Sequence, residues 1–232
     1  MTTALWFCLL IVALTALGVL VWYVVAAPGS QVLGKSLVCG APNSGKIALT
    51  FDDGPGEATP AVLELLRNAQ VRATFFLCGQ NVERYPELAR RIAEEGHEIG
   101  NHTYSHPRLL GRTPGKIAWE IEQAQRVIAH GTGREPTLFR PPYGLRWFGL
   151  FPILERNGLT SVMWSVNSRD WKRSHEEISR RVVDETGPGA IILFHDGVPP
   201  GKSADRQATV EALRDVLHAT MGRFKFVMVS EL

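Results

Sequence analysis

The sequence predicts an α/β protein, an incomplete (β/α) barrel behind one N-terminal transmembrane helix. Three observations predict it: seven strand-like apolar runs alternate with six amphipathic stretches, polar clusters follow directly on several of those runs, and a long uncharged apolar segment precedes them all. The 232 residues, 45% hydrophobic and 21% charged, suffice for one well-packed domain.

The first element, residues 4–27, carries no charge from Ala4 to Ala27. As helix it would span roughly 36 Å, more than the roughly 30 Å hydrocarbon core of a bilayer. Trp6 near one end and Trp22 with Tyr23 near the other match the aromatic belts of the two water interfaces. A cleaved secretory signal has a charged start and a shorter apolar region, so an uncleaved anchor is expected. No Lys or Arg precedes the span while Lys35 and Lys46 follow it, a thin bias toward a cytoplasmic domain. Residues 28–44, with several glycines and two prolines, read as a linker, and the folded domain is expected over 45–232.

Strands are expected at Ile47 to Phe51, Ala73 to Cys78, His97 to Gly100, Thr137 to Arg140, Ser161 to Val166, Ala190 to Phe194 and Phe224 to Val229. Between them, Ile117, Ile121, Ala124 and Ile128 repeat at helical spacing behind Thr113 and Pro114. Ser174 and Glu177 form a capping box ahead of Ile178 and Val182, and Val210, Leu213 and Leu217 line a last helix after Ser203.

Composition also excludes partners. The 25 basic and 23 acidic residues are scattered without runs, so no nucleic-acid surface is expected, and no protein partner is implied. Cys8, Cys39 and Cys78 form no CxxC pair and no disulfide framework. Gly40 to Lys46 (GAPNSGK) matches a phosphate-binding loop only as far as its lysine. Ile47 replaces the magnesium-binding Ser or Thr, and the glycines precede a strand instead of opening a helix.

The functional signal lies at the C-terminal ends of the expected strands, the edge on which parallel α/β folds gather active sites. Asp52 and Asp53, His102 and His106, Arg140 to Tyr143, Asp170 and Trp171, and His195 all fall there. A turn after the first strand can aim both aspartates into one mouth, although Asp at such a place also serves as a helix cap near Thr59. His102 and His106 are spaced to share one face of a helical turn that Pro107 ends, and two His with one carboxylate are a three-ligand set for catalytic zinc. His97, His130, His175 and His218 have no such partner and are read as structural.

Together the segments TFDDGP (50–55), HTYSH (102–106), RPPY (140–143), RDW (169–171) and LFH (193–195) resemble the polysaccharide deacetylase family, the NodB-homology domain of carbohydrate esterase family 4. The resemblance implies a distorted (β/α)7 barrel that removes N-acetyl groups from the amino sugars of an acetylated glycan, peptidoglycan or chitin-like. It implies that Asp53, His102 and His106 hold a divalent metal, usually zinc, although the donors also suit cobalt, nickel or iron. It implies Asp52 as general base paired with Arg140, His195 as general acid paired with Asp170, the Tyr143 N–H as an oxyanion donor, and Trp171 and Leu193 as walls around the acetyl methyl. Asn167 departs from the aspartate that many members carry there, whereas Asp170, the partner of the acid, is retained. Such a substrate places the domain outside the cytoplasmic membrane, against the lysine bias. A catalytically silent carbohydrate-binding barrel and a deacetylase of a small or lipid-linked molecule are the rival readings.

Overall fold

The computed structural model describes residues 2–232, with side chains from Leu5 onward. Helix α1 (Thr2–Ala26) leaves every side chain from Leu5 to Tyr23 exposed and buries only its exit, where Val25 and Ala27 enter the body. Among the described residues, Leu5–Ala26 is the one stretch long and apolar enough to cross a membrane.

The body is a curled parallel half-barrel of β1 (Lys46–Gly54), β2 (Thr74–Leu77), β3 (Glu98–Asn101), β4 (Leu138–Phe139), β5 (Thr160–Ser161), β6 (Val166–Asn167), β7 (Ile191–His195) and β8 (Lys225–Phe226). The order is β5-β4-β3-β2-β1-β7-β6, and β8 pairs with the first residues of β1. Each of the seven expected strand regions contributes, but the run from Ser161 to Val166 is not one strand. It ends β5 at one edge of the sheet and opens β6 at the other, so its apolar residues cross the barrel seam instead of forming a ladder.

Residues 28–44 are drawn into that seam. Leu37 donates its N–H to the Ser161 carbonyl at 2.8 Å and accepts from Met163 at 2.7 Å, while Cys39 bridges to Ala190 beside β7. Gly34 lies so close under the Phe151 ring that a Cβ there would collide with it. Lys46, the lysine of the phosphate-loop look-alike, donates from Nζ to the Glu231 carbonyl at 2.6 Å and opens a strand. All three cysteines are free thiols.

The helices are α2 (Thr59–Asn68), α3 (Gly79–Arg84), α4 (Pro86–Glu94), α5 (Pro114–Thr132), α6 (Leu150–Arg156), α7 (His175–Glu185) and α8 (Gln207–Thr220). The β2–β3 connection holds two of them, because Pro86 pushes Tyr85 out of helical geometry and ends α3 there. Thr113 caps α5, Pro114 occupies its first position and Gly133, left-handed at φ 69°, closes it. Ser174 caps α7 by accepting from the Glu177 N–H, but the Glu177 carboxylate turns to Arg173, so only half of the expected box forms. Helix α8 starts later than Ser203, where Asp205 accepts from the Gln207 N–H at 2.8 Å.

Side chains alternate across β1. Ile47, Leu49 and Phe51 face the helices, and Phe51 stacks between Phe75 and Phe194 at ring separations of 4.9 and 5.9 Å. Burial of each such ring contributes on the order of 1.5–3 kcal/mol. Ala48 packs inside the barrel with Phe76, Leu138, Val162 and Ile191, and Thr50 and Asp52 continue that inward row toward its C-terminal mouth.

Candidate active site

The alternation that turns Asp52 inward would turn Asp53 out toward the helices. A register shift between Asp52 and Gly54 prevents this: Asp53 adopts φ 67°, and the bulge swings its carboxylate back into the mouth. Both aspartates are buried, at 3% and 4% exposure, and neither caps α2, whose Thr59 is engaged by Asp196. Asn81 fixes the bulge by donating from Nδ2 to the Asp53 carbonyl at 2.6 Å and to the Val198 carbonyl at 2.9 Å.

The two histidines do not share a helical turn. They lie on an irregular loop after β3 in which Thr103 and His106 are both left-handed, at φ 68° and 56°. Its backbone is held from beneath: Asn101 Oδ1 accepts from the Thr103 N–H at 2.8 Å, and Glu120 of α5 accepts from the Tyr104 and Ser105 N–H groups at 3.1 and 2.8 Å and from the Ser105 hydroxyl at 2.6 Å. His102 Nδ1 meets the Arg140 carbonyl at 2.7 Å, which assigns the proton to Nδ1 and leaves the Nε2 lone pair facing the mouth.

Asp53 Oδ1 lies 3.0 Å from His106 Nε2 and 3.5 Å from His102 Nε2, and the three ligating atoms lie within 4.8 Å of one another. The buried Oδ1 nevertheless forms no hydrogen bond of acceptable geometry, as expected of donor atoms converging on a common point. Burial opposes charge on both partners, yet the histidines beside it hold the Asp53 carboxyl well below its ordinary range, while burial outweighs the aspartates and lowers the His106 pKa. Both shifts run toward the anionic carboxylate and the unprotonated imidazole that a divalent cation takes as ligands.

Beside this triad, Arg140 is fully buried over the Phe76 ring at 4.1 Å. It donates to Asp52 Oδ1 at 2.7 Å, to Thr50 Oγ1 at 2.8 Å and to the Met163 carbonyl at 2.9 Å. Asp52 Oδ1 is thereby fixed, and Oδ2 faces the triad 3.7 Å from His102 Nε2. Across the mouth, Asp170 Oδ1 meets His195 Nδ1 at 2.7 Å, and its Oδ2 accepts from the His195 N–H at 2.8 Å and from Thr209 at 2.9 Å. Burial disfavours an imidazolium there, but the Asp170 carboxylate outweighs it and raises the His195 pKa to about 9.

These groups open on one cavity of about 520 Å³. Tyr143, left-handed at φ 58°, sits at its rim with its ring against His106. The hydrogen bonds of its tight turn run from Gly144 to Pro141 and from Leu145 to Pro142, so the Tyr143 N–H is spared. Trp171 stacks edge-on against His195, and the buried Leu193 forms the floor. Of the residues singled out in the sequence, Asp52, Asp53, His102, His106, Tyr143, Trp171, Leu193 and His195 line this mouth, while Arg140 and Asp170 stand behind it, paired with Asp52 and His195. Of the four remaining histidines, His97 is buried, accepts from the Ala73 N–H through Nδ1 and is held neutral by burial at a pKa of about 4, whereas His175 pairs with Glu211 on the surface.

Sequence reasoning missed the supports. Asn81, Glu120 and Thr209 carry no local signal, since each acts through a contact distant in the chain, whereas Asn101 acts on Thr103 two residues on. Trp164 and the segment from Val198 to Arg206, which complete the cavity wall, belong to loops without a code. Asp196 had a faint one, because the DG of FHDG repeats the DG of TFDDG. It is fully buried, receives the Thr59 hydroxyl at 2.5 Å and packs against Gly54, and burial pushes its pKa up to about 7.

Comparison with known proteins agrees with this geometry. The family model described as polysaccharide deacetylase matches residues 40–162. A chitooligosaccharide deacetylase of Azorhizobium caulinodans is 40% identical over 78% of this chain and 90% of its own length. A peptidoglycan-N-acetylglucosamine deacetylase of Bacillus cereus is 40% identical over 77% of this chain and 64% of its own. Among solved structures, a peptidoglycan N-acetylglucosamine deacetylase bound to a hydroxybenzamide-type ligand superposes with a TM-score of 0.79 at 36% identity, covering 84% of this chain and 91% of that one. A family pseudoenzyme from Bacillus anthracis superposes at 0.77 with 29% identity over 85% of this chain and 68% of its own. The chain belongs to the polysaccharide deacetylase family.

Proposed function

We propose that this chain is a membrane-anchored, metal-dependent deacetylase that removes N-acetyl groups from N-acetylglucosamine-type units of a cell-envelope polysaccharide, with its barrel outside the cytoplasmic membrane. The observation that carries the reading is the placement of Asp52 and His195 around one mouth, each fixed by its own buried partner, beside the triad Asp53, His102 and His106.

The triad would hold a divalent ion, zinc by its donor set, which supplies Lewis acidity and lowers the pKa of water when bound. Asp52 Oδ2 takes the proton from the attacking water, while Arg140 keeps Oδ1 occupied and so directs the basic oxygen into the mouth. The spared Tyr143 N–H points its dipole at the negative charge that develops on the amide oxygen. His195, charged through its pairing with Asp170, delivers a proton to the sugar nitrogen as the carbon–nitrogen bond breaks, so that a neutral amine departs. Trp171 and Leu193 shield the methyl group from water.

A structural neighbour is a pseudoenzyme, so the polar set of the mouth bears on whether this chain turns over. All seven polar residues of the mouth are present here, which favours turnover over silent binding. The anchor is supported by α1, whose described side chains from Leu5 to Tyr23 are overwhelmingly apolar and all exposed, as in a bilayer span. Retention of the helix is supported by Arg146, a buried guanidinium whose acceptors include the Ala27 and Ser30 carbonyls. Cleavage at the end of the apolar segment would remove the Val25 carbonyl that accepts from the Arg146 N–H and open that contact to water.

Acetate release from acetylated chitooligosaccharides and peptidoglycan by the full-length protein tests the reading. Chelation should abolish release and added zinc should restore it. Release that survives complete chelation would sink the metal-dependent mechanism.

A further inference from the structure

We infer that Arg146 clamps the exit of the N-terminal helix to the rim of the catalytic mouth, so that the enzyme acts on acetylated saccharide held at the membrane surface. The inference rests on the anchored-deacetylase reading and adds to it the place of the substrate.

The last carbonyls of a helix lack partners within the helix and carry its negative dipole end. At the exit of α1 one of these carbonyls, that of Val25, is met by Arg146 of the catalytic body, whose guanidinium also takes carbonyls just beyond the helix end. The Arg146 N–H donates to the Val25 carbonyl at 2.9 Å, Nη1 donates to the Ser30 carbonyl at 2.6 Å, and Nη2 donates to the Ala27 carbonyl. Arg146 is 1% exposed, and Val25, Ala27 and Ser30 are buried with it. The segment that follows is seated as well, with Gly34 under Phe151, the Ser36 and Ser161 hydroxyls 2.9 Å apart and Leu37 in the sheet seam. The body is therefore held against the helix exit and does not swing on a tether.

The position of the clamp decides what the enzyme can reach. Arg146 lies three residues beyond Tyr143 on the same turn, which puts the rim within about 11 Å of the helix exit along the chain. The mouth and the exit thus share the C-terminal edge of the barrel. Next to the clamp, Phe148 is 63% exposed with its ring against Trp147, and Val32 beyond the exit is 64% exposed. Apolar side chains continuous with the end of a span are suited to the headgroup boundary of a bilayer. A mouth held there meets a saccharide attached to the bilayer or lying on it before it meets distant polymer. Arg146 is in this sense a positioning residue: it touches no reacting atom and sets where the mouth sits.

The full chain in liposomes, in a C8S/C39S background, permits a test of placement and use separately. A fluorophore on Phe148→Cys should lose more emission to headgroup nitroxide lipid than one on Asn68→Cys, at the opposite end of the barrel. Equal quenching at the two positions would overturn the placement whether or not the protein deacetylates anything. For use, a 30-residue Gly/Ser insertion between Ala27 and Pro28 keeps the span but releases the clamp, letting the mouth wander roughly 30 Å. Acetylated chitotetraose coupled to phospholipid through a short spacer should then be deacetylated about 10-fold more slowly than by the uninserted chain, with free chitotetraose unaffected. Equal rates on the lipid-coupled probe would overturn the inference. Failure on free chitotetraose by both proteins would count against the deacetylase reading, with the quenching comparison still deciding placement.

Discussion

Asp53 shows how a single backbone angle makes the site. On a regular strand it would face the helices, and only its left-handed φ of 67° brings it beside Asp52, which the sequence does not announce beyond the following glycine and proline. The residue types were legible, as two carboxylates, two imidazoles, an arginine and a third histidine at strand ends, whereas their supports were not. His195 illustrates the electrostatics. Its folded pKa of about 9 exceeds its unfolded value of about 6.5. The Asp170 pairing therefore contributes stability that is complete below about pH 6.5 and is lost as pH rises through about 9. Asp170→Asn should lower the His195 pKa and move the alkaline limb of kcat/KM to lower pH. A pH–rate profile checks this, and an unmoved limb would separate Asp170 from proton delivery.

At the scale of elements, the expected strands lie close to the observed ones because their apolar runs are short and bounded by turns. The failures have physical causes. The run from Ser161 to Val166 is apolar because it crosses the barrel interior, and sequence pattern cannot tell a seam from a strand. The spacing of His102 and His106 suggested a helical turn, but two left-handed residues, with Glu120 satisfying the loop amides from α5, replace it with a bent loop. Glu120→Ala should leave the fold intact and weaken zinc binding by ~10- to 100-fold, the range for losing an outer support of a metal site. His106→Ala, which removes a ligand itself, should weaken it further. Competition with a chelator of known affinity ranks the two, and an undiminished affinity in Glu120→Ala would show that the loop holds its shape without α5.

For the whole molecule, the barrel, the seam and the helix exit form one connected body. Residues 28–44 read as a linker because they are rich in glycine and proline, yet they close the seam between the two sheet edges, a long-range pairing with no local signature. Separately, Arg146 holds the exit of α1 to the body close to the rim of the mouth. A reporter joined after Leu232 should be active on the outer side of the cytoplasmic membrane, and activity confined to the cytoplasm would reverse the orientation. The measurement that bears most directly on the central claim compares the wild-type chain with Asp52→Asn at matched zinc content on an acetylated glycan. Loss of ~10²- to 10⁴-fold in acetate release with zinc retained is expected if Asp52 is the base. Full activity in the zinc-loaded variant would contradict the mechanism.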